Sequence, residues 1–289
     1  MSLTTPSKPD IAIIMRSDEV IKKFNLKRIT IDTSFGPVHR CYYGTISGKK
    51  VLIIYGRFEG QKVTSDAINA QQTIEAVANS GAKKLIGTFI VGGIKKSNPL
   101  GRTYIVQDLV GMGNYKFSCN QNYPFHNAEM FLPICRHLTD KIILSSKKMP
   151  FDINTNATYV CFHGWPRIET KAELEFYEKM GWDIVGQTLD PEATFARLYG
   201  LCYAAIAVQV DDPSSRDVYS KGDIKKDSKK QHMDLIKELR KKSTKLVLET
   251  IENLKKDSCD ICCKLKRTNN SFKQFPEEFY KDSKDELYD

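Results

Sequence analysis

Six short runs of apolar, β-prone residues recur along this chain, and most show no alternation with polar positions. They lie at 11–15 (IAIIM), 51–55 (VLIIY), 84–91 (KLIGTFIV), 104–110, 158–162 and 202–210 (CYAAIAVQV). A strand that is apolar on both sides must be covered on both sides, so these runs belong inside a layered fold. Helical patterns fill the intervals. Residues 65–80 carry Ala67, Ile68, Ile74 and Val77 on helical spacing and stop at Gly81. Residues 169–180 open with Thr170 and, three positions on, Glu173, the spacing of a capping box. Residues 191–200 begin at Pro191 and end at Gly200. Residues 230–255 read as one long amphipathic helix with Met233, Ile236, Leu239, Leu246, Leu248 and Ile251 inward. Alternating strands and helices predict an α/β fold with helices on both faces of the sheet.

With 289 residues, 41% of them hydrophobic, the chain can bury one large core. No apolar run approaches the ~20 residues that span a bilayer, so no membrane association is expected. The formal charge of +9 suggests a polyanion partner at first sight. Much of the excess, however, lies at 221–245, a stretch that runs into the long helix pattern, and no nucleic-acid-binding signature accompanies it. A solvated helix face is the reading taken, with no nucleic-acid partner. Five cysteines, Cys41, Cys119, Cys135, Cys161 and Cys202, sit in apolar contexts and read as core thiols in a reducing compartment, the cytoplasm. Cys259, Cys262 and Cys263 cluster near the C-terminus, but a single C-x-x-C has no second pair at zinc-finger spacing. No metal site is expected there, and a redox role stays open. The expected organisation is one domain over 10–256 and a charged, Cys-containing tail over 257–289.

Several motifs follow one another in a fixed order: Asp32-Thr33-Ser34-Phe35-Gly36, then Thr88-Phe89-Ile90-Val91-Gly92-Gly93, then Pro166-Arg167-Ile168-Glu169-Thr170 with Ala172-Glu173. The most specific is Gly181-Trp182-Asp183-Ile184-Val185-Gly186-Gln187-Thr188, followed by Pro191-Glu192-Ala193 and Ala196-Arg197; Gly200-Leu201-Cys202-Tyr203-Ala204 comes next. In this order and spacing the set resembles the superfamily of purine nucleoside phosphorylases and 5′-methylthioadenosine phosphorylases, over about residues 10 to 252. The resemblance implies a single-domain α/β fold with a mixed, twisted central sheet. It also implies phosphorolysis in purine salvage by a pentosyltransferase, with inorganic phosphate as co-substrate and no cofactor, and a homotrimer or dimer of trimers.

Phosphorolysis must seat a phosphate dianion, orient a sugar and stabilise charge on the departing purine. The resemblance assigns phosphate to Ser17, Arg57 and Thr188. The first loop, Met15-Arg16-Ser17-Asp18, lacks the family's paired glycines, and Asp18 would repel an anion unless Arg16 compensates with its fork of donors. The family's His beside Arg57 is missing, with Phe58 or Glu59 in its place. Phe89, Ile90 and Gln187 occupy substrate-lining positions, and His232, at the start of the long helix, lies near the expected sugar 5′ substituent. His126, His137 and His163 have no recognisable catalytic partner. The base falls to Glu169 and to Asp211 as the catalytic residue; this latter position is Asn in 6-oxopurine enzymes and Asp in methylthioadenosine enzymes. Asp211 could accept from a 6-amino group and, when protonated, donate to N7. Each carboxylate also has a plainer role, Glu169 capping a helix and Asp211 a turn. The altered anion end leaves two other functions open: a nucleoside-binding or structural protein without turnover, and a hydrolase using water.

Overall fold

The computed structural model describes residues 7–56, 67–113, 128–162, 167–211, 213, 228–255, 257, 259 and 261–262, with the backbone alone at 67–68 and 228–232. Nine strands form one mixed sheet among these residues: β1 (Ile11–Met15), β2 (Lys27–Ile31), β3 (Val38–Ile46), β4 (Lys49–Tyr55), β5 (Lys84–Gly93), β6 (Thr103–Gly111), β7 (Ile153–Cys161), β8 (Ile184–Gly186) and β9 (Cys202–Asp211). Six helices accompany them: α1 (Asp18–Lys23), α2 (Ala67–Asn79), α3 (Arg136–Ser146), α4 (Lys171–Lys179), α5 (Leu189–Leu198) and α6 (Ser228–Glu252).

The sheet order is β2-β3-β4-β1-β5-β8-β7-β6-β9, and β5 also pairs with β9. β1 runs parallel to β4 on one side and to β5 on the other. The chain therefore leaves β1 in one direction to reach β4 and returns to its other side for β5. That reversal creates a crevice at the carboxyl ends of these strands, where ligands of open α/β sheets bind. Beyond β5 the strands β8, β7, β6 and β9 close back onto it as a small barrel. Aromatic groups fill its interior. Tyr104 Oη donates to Gln209 Oε1 at 2.7 Å, and the rings of Phe89 and Tyr159 meet edge to face at 5.8 Å.

The reason β1 reads as an unbroken apolar run is visible in its packing. Ile11, Ile13 and Met15 enter one core with Leu138 and Ile142 of α3 and Leu246, Val247 and Ile251 of α6. Ala12 and Ile14 enter the other, with Ile74 and Val77 of α2 and Ala193, Phe195 and Ala196 of α5. Both faces are dry, as the sequence required. The expected tail is described at 257, 259, 261 and 262, and Cys259 and Cys262 are buried in the first of these cores.

Three strands went unanticipated: β8, which has three residues, and β2 and β3, which share a physical reason. β2 and β3 lie at one edge with one side wetted, so neither presents a continuous apolar run. The β3–β4 hairpin turns at Ser47 and Gly48, both at positive φ (47° and 73°), the geometry of a two-residue turn that matches strand twist. The long helix ends at Glu252, and Met233, expected inward, is 45% exposed. Its inward stripe starts three residues later at Ile236.

Candidate active site

A cavity of about 420 Å³ opens at the carboxyl ends of β1, β4, β5, β8 and β9. Its size falls within the usual range for small-molecule sites. Of the residues singled out from sequence, Phe89, Ile90, Glu169, Gln187, Thr188 and Asp211 all line it. Arg57 and Phe58 lie outside the described residues, as do the side chains of His163 and His232; Gly56, next to Arg57, is part of the wall.

Asp211 closes β9 opposite Gly92 of β5, at the rim of the barrel. Glu169 is 9% exposed and reaches the cavity just before α4. The cap of α4 is made by other groups: Thr170 Oγ1 accepts from Glu173 N–H at 3.2 Å, and Glu173 accepts from Thr170 N–H at 2.7 Å. Capping therefore does not account for Glu169. Thr188 precedes α5 without a side-chain cap bond, so its hydroxyl is not consumed by the helix start. Gln187 donates to the Arg167 carbonyl at 3.4 Å, tying the β8 end to the segment that carries Glu169.

Phe89 forms wall without plugging the cavity. Its ring turns into the barrel beside Gly87, where a Cβ would lie 2.8 Å from it, and meets Tyr159. Ile90, one position on, is 37% exposed.

Ser17 has a structural role of its own. The residues Ser17-Asp18-Glu19 start a helix, and Ser17 Oγ accepts from Val20 N–H at 3.3 Å as its N-cap. It is not among the cavity-lining residues. N-cap chemistry suits a serine before Asp-Glu. Nor does Asp18 face the cavity: it accepts from Tyr55 Oη at 2.9 Å. Arg16 lines it, crossing Gly56, whose positive φ (73°) and missing side chain make room; a Cβ there would sit 2.6 Å from Arg16 Nε. The Gly56 carbonyl is in turn held by Arg40, which is buried and also donates to Thr73 Oγ1 at 2.7 Å.

Arg240 of α6 is the residue that sequence reasoning missed. It lines the cavity with Ile236 and Ser243, four before and three after it, on one helix stripe. The basic stretch is a solvated face elsewhere, where Lys237 and Lys241 pair with Asp234 and Glu238. Burial of Ile236 on the same face was the signal that could have marked Arg240 as inward. Burial raises the pKa of the Tyr55 hydroxyl, as does Asp18, while the positive charges of Arg16 and Arg240 pull it back. Two arginines thus stand in the wall of the cavity.

The segment bearing Glu169 is braced by a bidentate pair, Arg167 to Glu173, at 2.9 and 2.8 Å. Hydrogen bonds from Arg167 first, then from the Thr170 backbone, hold the Glu173 carboxyl down at about 2, below its usual 4.5. A depressed folded-state pKa stabilises the fold above pH 4.5 and loses that contribution as pH falls toward 2. Glu173→Ala is expected to lower stability at pH 7 by about 1 kcal/mol. The gap from the unsubstituted chain should close between pH 4.5 and 2 in thermal melts; a gap independent of pH would contradict this.

Other residues of these motifs are structural. Glu192 accepts from Tyr203 Oη at 2.9 Å inside the core, and Arg197 is buried with Nη2 on the Leu132 carbonyl. Neither lines the cavity.

The chain matches the phosphorylase superfamily over residues 10–252. It is 28% identical over 240 residues to S-methyl-5′-thioadenosine phosphorylase of Nitrosopumilus maritimus, covering 82% of this chain and 88% of that one. To 6-oxopurine nucleoside phosphorylase of Pyrococcus furiosus it is 26% identical over 249 residues, covering 81% and 88%. In fold it resembles a methylthioadenosine phosphorylase from an antarctic soil metagenomic library, with TM-score 0.74 at 20% identity over 90% of this chain and 91% of that one.

Proposed function

The chain belongs to the phosphorylase superfamily, and we propose that it cleaves a purine nucleoside or 5′-methylthioadenosine with inorganic phosphate, releasing free purine and (methylthio)ribose 1-phosphate. The observation that carries this reading is one cavity shared by two carboxylates, Asp211 and Glu169, and two guanidinium groups, Arg16 and Arg240. The reaction needs both kinds of group. A phosphate oxygen bonds to C1′ as the C1′–N9 bond breaks, and the bonding pair leaves with the purine. Arg16, Arg240 and the Thr188 hydroxyl supply charge and donors for phosphate. Asp211 and Glu169 take the purine edge, with Asp211 delivering a proton to N7 as negative charge builds there. Gln187, Phe89 and Ile90 form the walls around the sugar. Arg57, adjacent to Gly56, and His232, early in α6, join the site in this reading.

Relatives named for 6-amino and for 6-oxo substrates are about equally similar to this chain, so the reading covers both purine classes. It also takes the protein to work in the cytoplasm, which suits its buried free thiols, and as a homotrimer or dimer of trimers. The exposure of Ile90 at the cavity supports a covering neighbour. A monomer in sedimentation at micromolar concentration would remove that part.

The test is purine release from adenosine, inosine, guanosine and 5′-methylthioadenosine with and without phosphate. Release that requires phosphate is expected. Release without phosphate would identify a hydrolase, and thermal stabilisation by nucleoside without turnover a binding protein.

A further inference from the structure

Far from the cavity, four cysteine sulfurs converge. The Sγ atoms of Cys135, Cys202, Cys259 and Cys262 all lie within 4.8 Å of one another, and all four residues are buried, at 3%, 2%, 6% and 3% exposure. They come from three distant stretches of chain. Cys135 stands at the start of α3, where its side chain makes no capping bond. Cys202 opens β9, and the Cys135 backbone N–H donates to the Tyr203 carbonyl at 2.8 Å, which locks these two elements together. Cys259 and Cys262 form a C-x-x-C pair beyond α6. We propose that these four side chains are the ligands of a structural zinc ion that staples the C-terminal segment to the core.

The geometry fits that ion closely. A tetrahedral zinc with bonds of ~2.3 Å sets its sulfurs ~3.8 Å apart, and Cys135 Sγ lies 3.8 Å from Cys259 Sγ. Four sulfurs so close leave room for one ion and not for an iron–sulfur cube. All-sulfur tetrahedral coordination suits zinc, and with four protein ligands no position stays open for substrate or water. Binding exchanges the four thiol protons to solvent for the metal.

Ordinary packing does not explain the arrangement. Buried thiols that serve as small hydrophobic groups need no sulfur neighbours, as Cys41 and Cys161 illustrate by lying outside the cluster. A zinc tetrathiolate carries net negative charge, and a buried cation stands near. Arg197, 4% exposed, leaves Nε and Nη1 without an acceptor among the described residues, and its charge acts on Cys262. A second clamp lies alongside, where Asp257 receives Lys141 and Lys84. The C-x-x-C pair has no second pair at zinc-finger spacing in the sequence, but the fold brings two more thiols to it from 124 and 60 positions upstream, Cys135 to Cys259 and Cys202 to Cys262. Cys202 and Asp211 stand at opposite ends of the ten-residue β9, about 30 Å apart along the strand, so the metal takes no part in the chemistry.

The test uses the untagged full chain, expressed with zinc in the medium and passed over chelating resin. Elemental analysis should find about one zinc per chain, released by a mercurial reagent in step with modification of the cysteines. Cobalt substitution should give sulfur-to-metal charge-transfer absorption and intense visible bands of tetrahedral cobalt. Cys262→Ser should retain at least about 10-fold less zinc, whereas Cys41→Ser should retain it all. Absence of bound metal, a disulfide within the four, or full zinc content in Cys262→Ser would overturn the assignment. Should that variant fail to fold, the metal content and cobalt spectrum of the unsubstituted chain decide the question alone.

Discussion

Replacing Asp211 with alanine is expected to cut phosphate-dependent purine release by about 10²- to 10⁴-fold, the usual weight of one positioned proton donor. Stability should change by no more than about 0.5 kcal/mol, because Asp211 ends its strand at a half-exposed rim. Asp211→Asn separates the two purine classes. An amide can donate to a 6-oxo group and to N7, but it has no proton to give up. Turnover of 6-amino substrates should therefore fall as far as with alanine, while 6-oxo substrates lose less. The readout is kcat/KM for adenosine or 5′-methylthioadenosine against inosine. Equal activity of all three proteins on every substrate would remove Asp211 from the chemistry.

Arg240→Ala should weaken use of phosphate selectively. A hydrogen bond to a charged group contributes about 1.5–3 kcal/mol, so kcat/KM for phosphate should drop about 10- to 150-fold. The nucleoside KM at saturating phosphate should move far less, since in this reading Arg240 and Arg16, both in the cavity wall, hold the anion. Arg16→Ala should behave alike. Lysine at position 240 restores charge but not the planar fork, so partial recovery is expected. A phosphate KM unchanged in both alanine variants would place the anion elsewhere, with Arg57 the next candidate.

Much of the fold could be read directly because burial on both faces leaves a local mark. β1, with Ile11, Ile13 and Met15 facing one core and Ala12 and Ile14 the other, can be recognised from five letters. The capping box at Thr170 and Glu173 is similarly self-contained. Strands β2 and β3, at the margin of the sheet, left no such mark, since exposed residues interrupt their apolar positions. Within the site, ordered motifs pointed to Phe89, Ile90, Glu169, Gln187, Thr188 and Asp211, and all six line one cavity. Ser17 caps a helix N-terminus, a role that a hydroxyl before Asp-Glu fits as well as it fits phosphate binding. Arg240 stayed hidden among lysines because charge count carries no direction; only the docking of Ile236 turns that side of α6 inward.

By itself, the order of residues determined the layered α/β architecture and the two dry faces of the inner strands. Those properties depend on neighbours three to five positions apart, which any stretch of chain carries with it. Tertiary structure alone decided which cations meet the carboxylates, and that Cys135 and Cys202 join Cys259 and Cys262. Such meetings join residues far apart along the chain, and what brings them together is the burial of the helices and strands that bear them, a property of the whole core.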